Sequence, residues 1–265
     1  MDLQEVRTAG EALRNILVLP TYPVAVKLIK NAEDWPQKVR HPKDQGVNKW
    51  AVCQAIAMTR KIGWTVGLEP AESFCVPSNI LFGWAKTEDE MALANAWLEM
   101  GVGENIDATK RIAKELDQLR KGEYSGIVFS PLQWSRIVPD VVLFYCDPVR
   151  AGVLIQACTS RDGKPFQSAF IPTAACVQSI FRPLVTGEPK MTIPCVGERG
   201  LSGSQDNELI FSFPIALLKD VVEGLEKARD AGYGCRIPVA PYLTFEPVSI
   251  PPYAKLGQKT KIINR

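Results

Sequence analysis

The strongest constraint on this chain is a pattern written twice along it. In the first half it runs Trp50-Ala51-Val52-Cys53-Gln54-Ala55, then Phe74-Cys75-Val76-Pro77, then Phe82-Gly83. In the second half it runs Thr173-Ala174-Ala175-Cys176-Val177-Gln178, then Lys190-Met191-Thr192-Ile193, then Pro194-Cys195-Val196-Gly197. Each copy sets one cysteine near the start of an apolar segment and a second after the next short strand-like run. The gaps are similar, 22 positions from Cys53 to Cys75 and 19 from Cys176 to Cys195. If the copies are structural halves related by a pseudo-twofold axis, four thiols converge on one site. Four convergent thiols suit an iron–sulfur cluster or another soft metal centre.

Composition narrows the functional classes. A chain of 265 residues buries one large core or two modest ones without staples. Its net charge of +2 gives no electrostatic case for nucleic acid or an anionic membrane, because the basic residues are balanced by acidic ones. No apolar stretch approaches the roughly 20 residues of a membrane span. The opening Met1-Asp2-Leu3-Gln4-Glu5 lacks the basic and then apolar order of a secretory signal, so a cytoplasmic protein is expected. In that reducing setting the seven cysteines read as core residues, metal ligands or redox groups rather than structural disulfides. His41 is the one histidine, which removes zinc sites with several imidazole ligands and any two-histidine scheme.

Periodicity predicts helices over residues 3–18, 50–62, 90–100, 107–121, 148–158, 174–184 and 214–231, with Asp107 and Pro214 opening two of them. Short apolar runs at 22–29, 64–68, 127–130, 141–145, 191–193 and 208–213 predict strands. Residues 31–49 read as a surface loop. The expected fold is α/β or α+β, one globular unit over residues 1–236 with short-stranded sheets and flanking helices. Two pseudo-equivalent halves are expected at about 20–105 and 125–230. Residues 237–265, rich in proline, read as an extended tail.

Candidate chemistry centres on Cys53, Cys75, Cys176 and Cys195. Cys53 and Cys176 lie near expected helix starts, where unpaired backbone N–H groups favour a thiolate. Cys75 and Cys195 lie beside prolines and glycines that shape loops whose amides reach sulfur. The compact C-x-x-C spacing of familiar clusters is absent, and free cysteines are also common core residues. Cys146, Cys158 and Cys235 fall outside the pattern and read as core or incidental. The run Gly197-Glu198-Arg199-Gly200 reads as a flexible hairpin loop because a strand follows it, which fails the context of a dinucleotide loop. Arg199 in that loop is a candidate grip for a carboxylate or phosphate. Trp50, Trp64, Trp84 and Trp134 are candidate pocket walls, or simply core. Asp140 after Pro139 reads as a turn or cap more readily than as a base.

The segments Pro23-Val24-Ala25-Val26-Lys27, Cys53-Gln54-Ala55, Cys75 before Pro77, Pro131-Leu132, Pro139-Asp140-Val141-Val142, Ala175-Cys176, Cys195-x-Gly197-x-Arg199 and Glu208 before Pro214 occur in this order. Together they resemble the domain of unknown function family 169 of anaerobic bacteria and archaea, over roughly residues 10–230. Val76 separates Cys75 from Pro77 where the family pattern has them adjacent. The resemblance implies that Cys53, Cys75, Cys176 and Cys195 belong to family motifs, while it supplies no activity. The expectation is a cytoplasmic iron–sulfur (4Fe–4S) or other metal protein held by these four cysteines. Its expected role is redox or electron transfer with a partner protein, in support of an anaerobic enzyme. Two alternatives stand beside it. One is a metal-free protein or enzyme binding a small-molecule ligand between the halves, near Arg199 and Glu208. The other is a thiol enzyme using Cys53 or Cys195 as nucleophile or sulfur carrier. A homo-oligomer is compatible with all three.

Overall fold

The computed structural model describes residues 1–85 and 91–235. In chain order it contains α1 (Leu3–Leu17), β1 (Val24–Ile29), α2 (Val52–Ala57), β2 (Val66–Leu68), α3 (Val76–Leu81), α4 (Ala92–Glu99) and α5 (Ile106–Lys114). There follow β3 (Gly126–Pro131), β4 (Val141–Cys146), α6 (Pro148–Thr159), α7 (Ala175–Thr186), β5 (Lys190–Thr192), α8 (Val196–Ser202), β6 (Leu209–Pro214) and α9 (Leu218–Asp230). A π-helical turn, Met58–Ile62, continues α2.

One six-stranded sheet runs β2-β3-β1-β4-β6-β5, and its neighbouring strands are antiparallel. The order reads the same from either edge when β1, β2 and β3 are exchanged for β4, β5 and β6. At its centre Val24 faces Leu143 and Val26 faces Val141. Both central strands are buried along most of their length, which is why they read as continuous apolar runs rather than alternating ones.

The period-two geometry of a strand sorts these side chains to two faces. Ala25, Val142, Phe144 and Phe213 pack with Val6 and Leu13 of α1, Leu154 of α6 and Leu225 of α9. Val24, Val26, Leu143 and Tyr145 pack on the opposite face with Val52 and Ile56 of α2, Leu81 of α3, Trp97 of α4 and Ile180 of α7. Helix α1 begins with a reciprocal cap: the Glu5 amide donates to Asp2 at 2.8 Å and the Asp2 amide donates to Glu5 at 2.7 Å. Asp147 caps α6 ahead of Pro148 in its first turn.

Several local expectations shift. Asn105 rather than Asp107 caps α5, accepting from the Ala108 amide at 2.9 Å, and the helix closes at Lys114. Pro214 closes β6 opposite Val141 and, as expected, leads into the last helix, capping a 3-10 turn (Ile215–Leu217) that runs on into α9 at Leu218. Asp140 is a structural carboxylate, accepting from the Lys27 ammonium at 2.7 Å and the Leu28 amide at 2.8 Å. The run from Gly197 to Gly200, expected as a hairpin loop, lies within helix α8. The Pro-rich tail expectation lies outside the described residues.

Helices α6 and α9 approach closely where α9 carries Gly224. A Cβ added there would meet the Ala157 carbonyl oxygen at 2.5 Å, and that oxygen belongs to a helix backbone with little room to retreat. Gly224→Ala is therefore expected to cost about 1–3 kcal/mol through overpacking, read as a lower urea midpoint with an unchanged slope.

Candidate functional site

The topology carries α2 of the first half onto α7 and α8 of the second. Cys53 is the second residue of α2 and Cys176 the second of α7, and both are buried. The Cys53 side chain, then burial and the nearby Cys53, Glu198 and Cys195 charges, push the Cys176 thiol well above the ordinary thiol range. The helix-start amides expected to favour a thiolate at Cys176 are thus outweighed by desolvation and a like neighbour. The Cys53 sulfur also lies 3.8 Å from the Gly197 carbonyl oxygen, as a weak donor to α8.

Cys195 precedes α8 as its capping residue and is only partly buried. Burial raises its ionisation, and the backbone N–H groups of Ala175, Glu198 and Gly197 nearby pull the other way by favouring the anion. The Ala175 amide is delivered by an unusual backbone: Ala174, just before α7, adopts φ 52° and ψ 32°, a left-handed conformation that costs a non-glycine residue strain. Cys75 holds the corresponding place in the first half, capping α3 as Cys195 caps α8, and packs against the same apolar cluster. Among the described residues its thiol makes no hydrogen bond.

Beside the sulfurs lies a buried polar chain that sequence reading did not anticipate. Arg60, in the π turn, has a side chain 0% exposed. Its guanidinium donates to both Glu208 oxygens at 2.6 and 2.9 Å and lies 3.8 Å from the centre of the Tyr145 ring. The Tyr145 hydroxyl donates to Glu198 at 2.5 Å, and Ser204 donates to the same oxygen at 3.1 Å. Burial holds Glu198 above the usual carboxylate range, against the opposing pull of Tyr145, Ser204 and Arg60. Tyr145 is itself pushed well up by burial and then by Glu198. Lys61 closes the C-terminal end of α8, donating to the Ser202 and Gly203 carbonyls at 2.9 and 2.7 Å.

The remaining candidates lie elsewhere. Arg199 pairs with Asp206 at 3.0 Å on the exposed side of α8. Trp50 is buried beside Cys53 in the core, Trp64 lies under Arg40, Trp84 stacks on Phe82, and Trp134 is 51% exposed against Tyr22. They do not form one wall. Cys146 faces the other side of the sheet, and Cys158 packs there too; burial raises each to about 12. Cys235 packs against that same cluster. A cleft of about 550 Å³ lined in part by Cys158, Lys164, Phe166 and Leu217 lies beside α6 and α9, away from the paired thiols. Among the described residues no group of three or more His, Cys, Asp or Glu side chains is arranged to hold a metal ion, and no helix is long and apolar enough to cross a membrane.

A family model, the domain of unknown function family 169, described as an uncharacterised ArCR family, matches residues 12–224. An uncharacterised protein of Methanocaldococcus jannaschii is 26% identical over 231 residues, which is 86% of this chain and 97% of that protein. No solved structure matches the chain.

Two measurements check the polar chain. Glu208→Gln strands the Arg60 charge in a dry interior and is expected to destabilise the fold by about 3–5 kcal/mol, measured by denaturant unfolding. Glu198, raised in the folded state, holds its proton more tightly there than in the unfolded chain. Its contribution is present in full below the unfolded carboxylate value and is lost as pH rises through the folded one. Glu198→Gln should remove that decline from the curve of unfolding free energy against pH.

Proposed function

For this chain, which belongs to the domain of unknown function family 169, we propose a thiol–disulfide redox function centred on Cys53, Cys176 and Cys195. The observation that carries it is the packing of α2 on α7, helices from opposite halves whose second residues, Cys53 and Cys176, are buried in one cluster. Burial beside a second thiol raises Cys176, and that penalty is lost when the two sulfurs join as a disulfide. The reaction is two-electron exchange with a partner disulfide: the partner is reduced to two thiols and Cys53 and Cys176 are oxidised to one disulfide.

Cys195 supplies the way in. It is less buried than the pair, and three amides support its anion. Its thiolate attacks the partner disulfide and releases one partner thiol, leaving a mixed disulfide. The Cys176 sulfur then attacks Cys195 and expels the second partner thiol. Attack by Cys53 on Cys176 completes the internal disulfide and frees Cys195 as a thiol. A cytoplasmic setting, where small thiols return the pair to its reduced form, suits this cycle.

A second reading keeps the iron–sulfur centre on Cys53, Cys75, Cys176 and Cys195. It is favoured by the gathering of Cys53, Cys176 and Cys195 and by the matching helix-cap positions of Cys75 and Cys195. It needs the sulfurs to close around a metal, since their present spacing does not form a ligand set. In this reading iron would be held by thiolates, and the group's chemistry would be one-electron transfer.

One preparation separates the two. Protein purified without oxygen and treated with a small disulfide oxidant is expected to be colourless and free of iron and sulfide. Its peptide map should show a Cys53–Cys176 cross-link, absent from Cys53→Ser and Cys176→Ser and retained in Cys146→Ser. A brown protein carrying iron and sulfide, with no cross-link, would replace the thiol reading by the cluster.

A further inference from the structure

The arginines of this chain divide by partner. Arg60, Arg150, Arg161, Arg182, Arg199 and Arg229 each pair with a carboxylate. Arg7, Arg14, Arg40 and Arg136 pair with none among the described residues, although the whole chain is near charge balance at +2. These four are linked across one face. Arg7 and Arg14 lie two turns apart on the same side of α1. The Arg7 Nε donates to the Ser135 carbonyl at 2.8 Å, and the Arg14 guanidinium lies 4.5 Å from the centre of the Tyr22 ring. Arg136 follows Ser135 and reaches the Gln37 carbonyl at 3.5 Å. Arg40, three residues beyond Gln37, covers the Trp64 ring at 4.5 Å. Glu11, between Arg7 and Arg14 on the helix, pairs with neither.

An aromatic pair sits among these cations. The Trp134 and Tyr22 rings meet with centres 4.9 Å apart. Gly63 supports both: a Cβ there would come within 3.2 Å of each ring, and its φ of 85° is one that glycine adopts freely. Trp64, the next residue, carries Arg40 and joins the two ends of the face. Held in this way, Trp134 is still 51% exposed. Guanidiniums gathered without partners repel one another, and an open indole among them gains nothing from burial. The fold alone gives no reason for either, whereas an apolar, anionic partner would relieve both.

We propose that this face docks an acidic segment of a partner protein, seating an apolar side chain on Trp134 and carboxylates on Arg7, Arg14, Arg40 and Arg136. Charge complementarity selects the occupant, since a guanidinium presents a planar fork of donors that matches a carboxylate. The composition agrees: tryptophan, tyrosine and arginine carry most of the energy of protein interfaces, with an aromatic anchor at the centre and polar groups around it. Single-stranded nucleic acid fits less well, because its successive bases stack on successive open rings. Here Tyr22 is tilted 53° to Trp134 and lies under Arg14, and Trp64 lies under Arg40, so Trp134 is left as the open platform. The face involves no sulfur and stands whether or not the thiols react.

The test uses the full chain and a fluorescently labelled peptide of aspartates and glutamates around one central phenylalanine, with binding read by anisotropy. The peptide is expected to bind at low salt and to weaken as salt is raised. Trp134→Ala should lower the affinity about thirtyfold, the scale of a lost aromatic anchor. Replacing the peptide's phenylalanine by alanine should lower it similarly. Arg40→Gln with Arg136→Gln, both exposed, should cost about tenfold and flatten the salt dependence. Arg111→Gln with Arg120→Gln removes the same charge from arginines that also lack a carboxylate among the described residues, and should leave binding unchanged. Absence of binding at low salt overturns the proposal, as does an equal loss in the two double variants. Tighter binding of an oligothymidine of equal charge, lost in the same variants, overturns it in favour of nucleic acid. Should Trp134→Ala not fold, the two arginine pairs decide the matter.

Discussion

The antiparallel pairing of β1 with β4 is the constraint on which the site depends. These strands occupy the middle of the sheet and are buried from both sides, so their register decides which side chains meet which helices. In the observed register Leu143 and Tyr145 face the layer of α2 and α7, while Phe144 and Cys146 face α1, α6 and α9. A slip of one residue would exchange the two sets. Tyr145 would leave Glu198 and Arg60, and Cys146 would take its place among the thiols. The apolar contacts of Phe144 with Phe211 and Phe213, at 5.8 and 6.2 Å between ring centres, oppose such a slip from the far face. Packing on one side of the sheet therefore protects chemistry on the other.

Within that frame the buried Arg60 is an expensive choice. A fully desolvated guanidinium is tolerable only with its charge matched and its donors used. Glu208 accepts from both terminal nitrogens and the Tyr145 ring covers the cation, yet the Arg60 Nε keeps no partner among the described residues. A hydrophobic filling would serve stability as well or better. The left-handed Ala174 at the start of α7 is a second local cost, and it falls where the Ala175 amide meets the Cys195 sulfur. Two stability-reducing features in the layer that holds the thiols are the physical mark of a site kept for function rather than for folding.

The sequence was most legible where periodicity was long or burial unbroken. The central strands and the helices containing Cys53 and Cys176 were readable from apolar runs and from Gly63 and Gly187 at their ends. Helix α8 was missed because its seven residues contain two glycines, a composition that favours turns; its packing against α2 and the Lys61 cap overrides that preference. With α8 read as a loop, Glu198 had no defined neighbours, and Arg199 beside it attracted notice as a free cation. Arg60 and Tyr145 were invisible for another reason. Nothing in a linear reading distinguishes an arginine near a helix end from a solvated one, and its partner Glu208 lies 148 positions away. The one available hint was Glu208 itself, which recurs in the family-like pattern just before a buried strand.

The symmetric strand order makes the departures from symmetry informative. Cys75 and Cys195 each cap a helix that opens with valine, and three residues beyond each cysteine the two halves differ: Ser78 in α3, Glu198 in α8, both buried. Counting from the first residue of each central strand, Tyr145 of β4 corresponds to Leu28 of β1, again buried in the same layer. The acid and the hydroxyl that steadies it therefore occur together in the second half, while the first half offers a small alcohol and an aliphatic side chain. Two equivalent thiol sites would give no preferred direction of attack. With the buried acid on the helix that Cys195 caps, and its hydroxyl partner on β4, the two halves of the thiol region are chemically distinct.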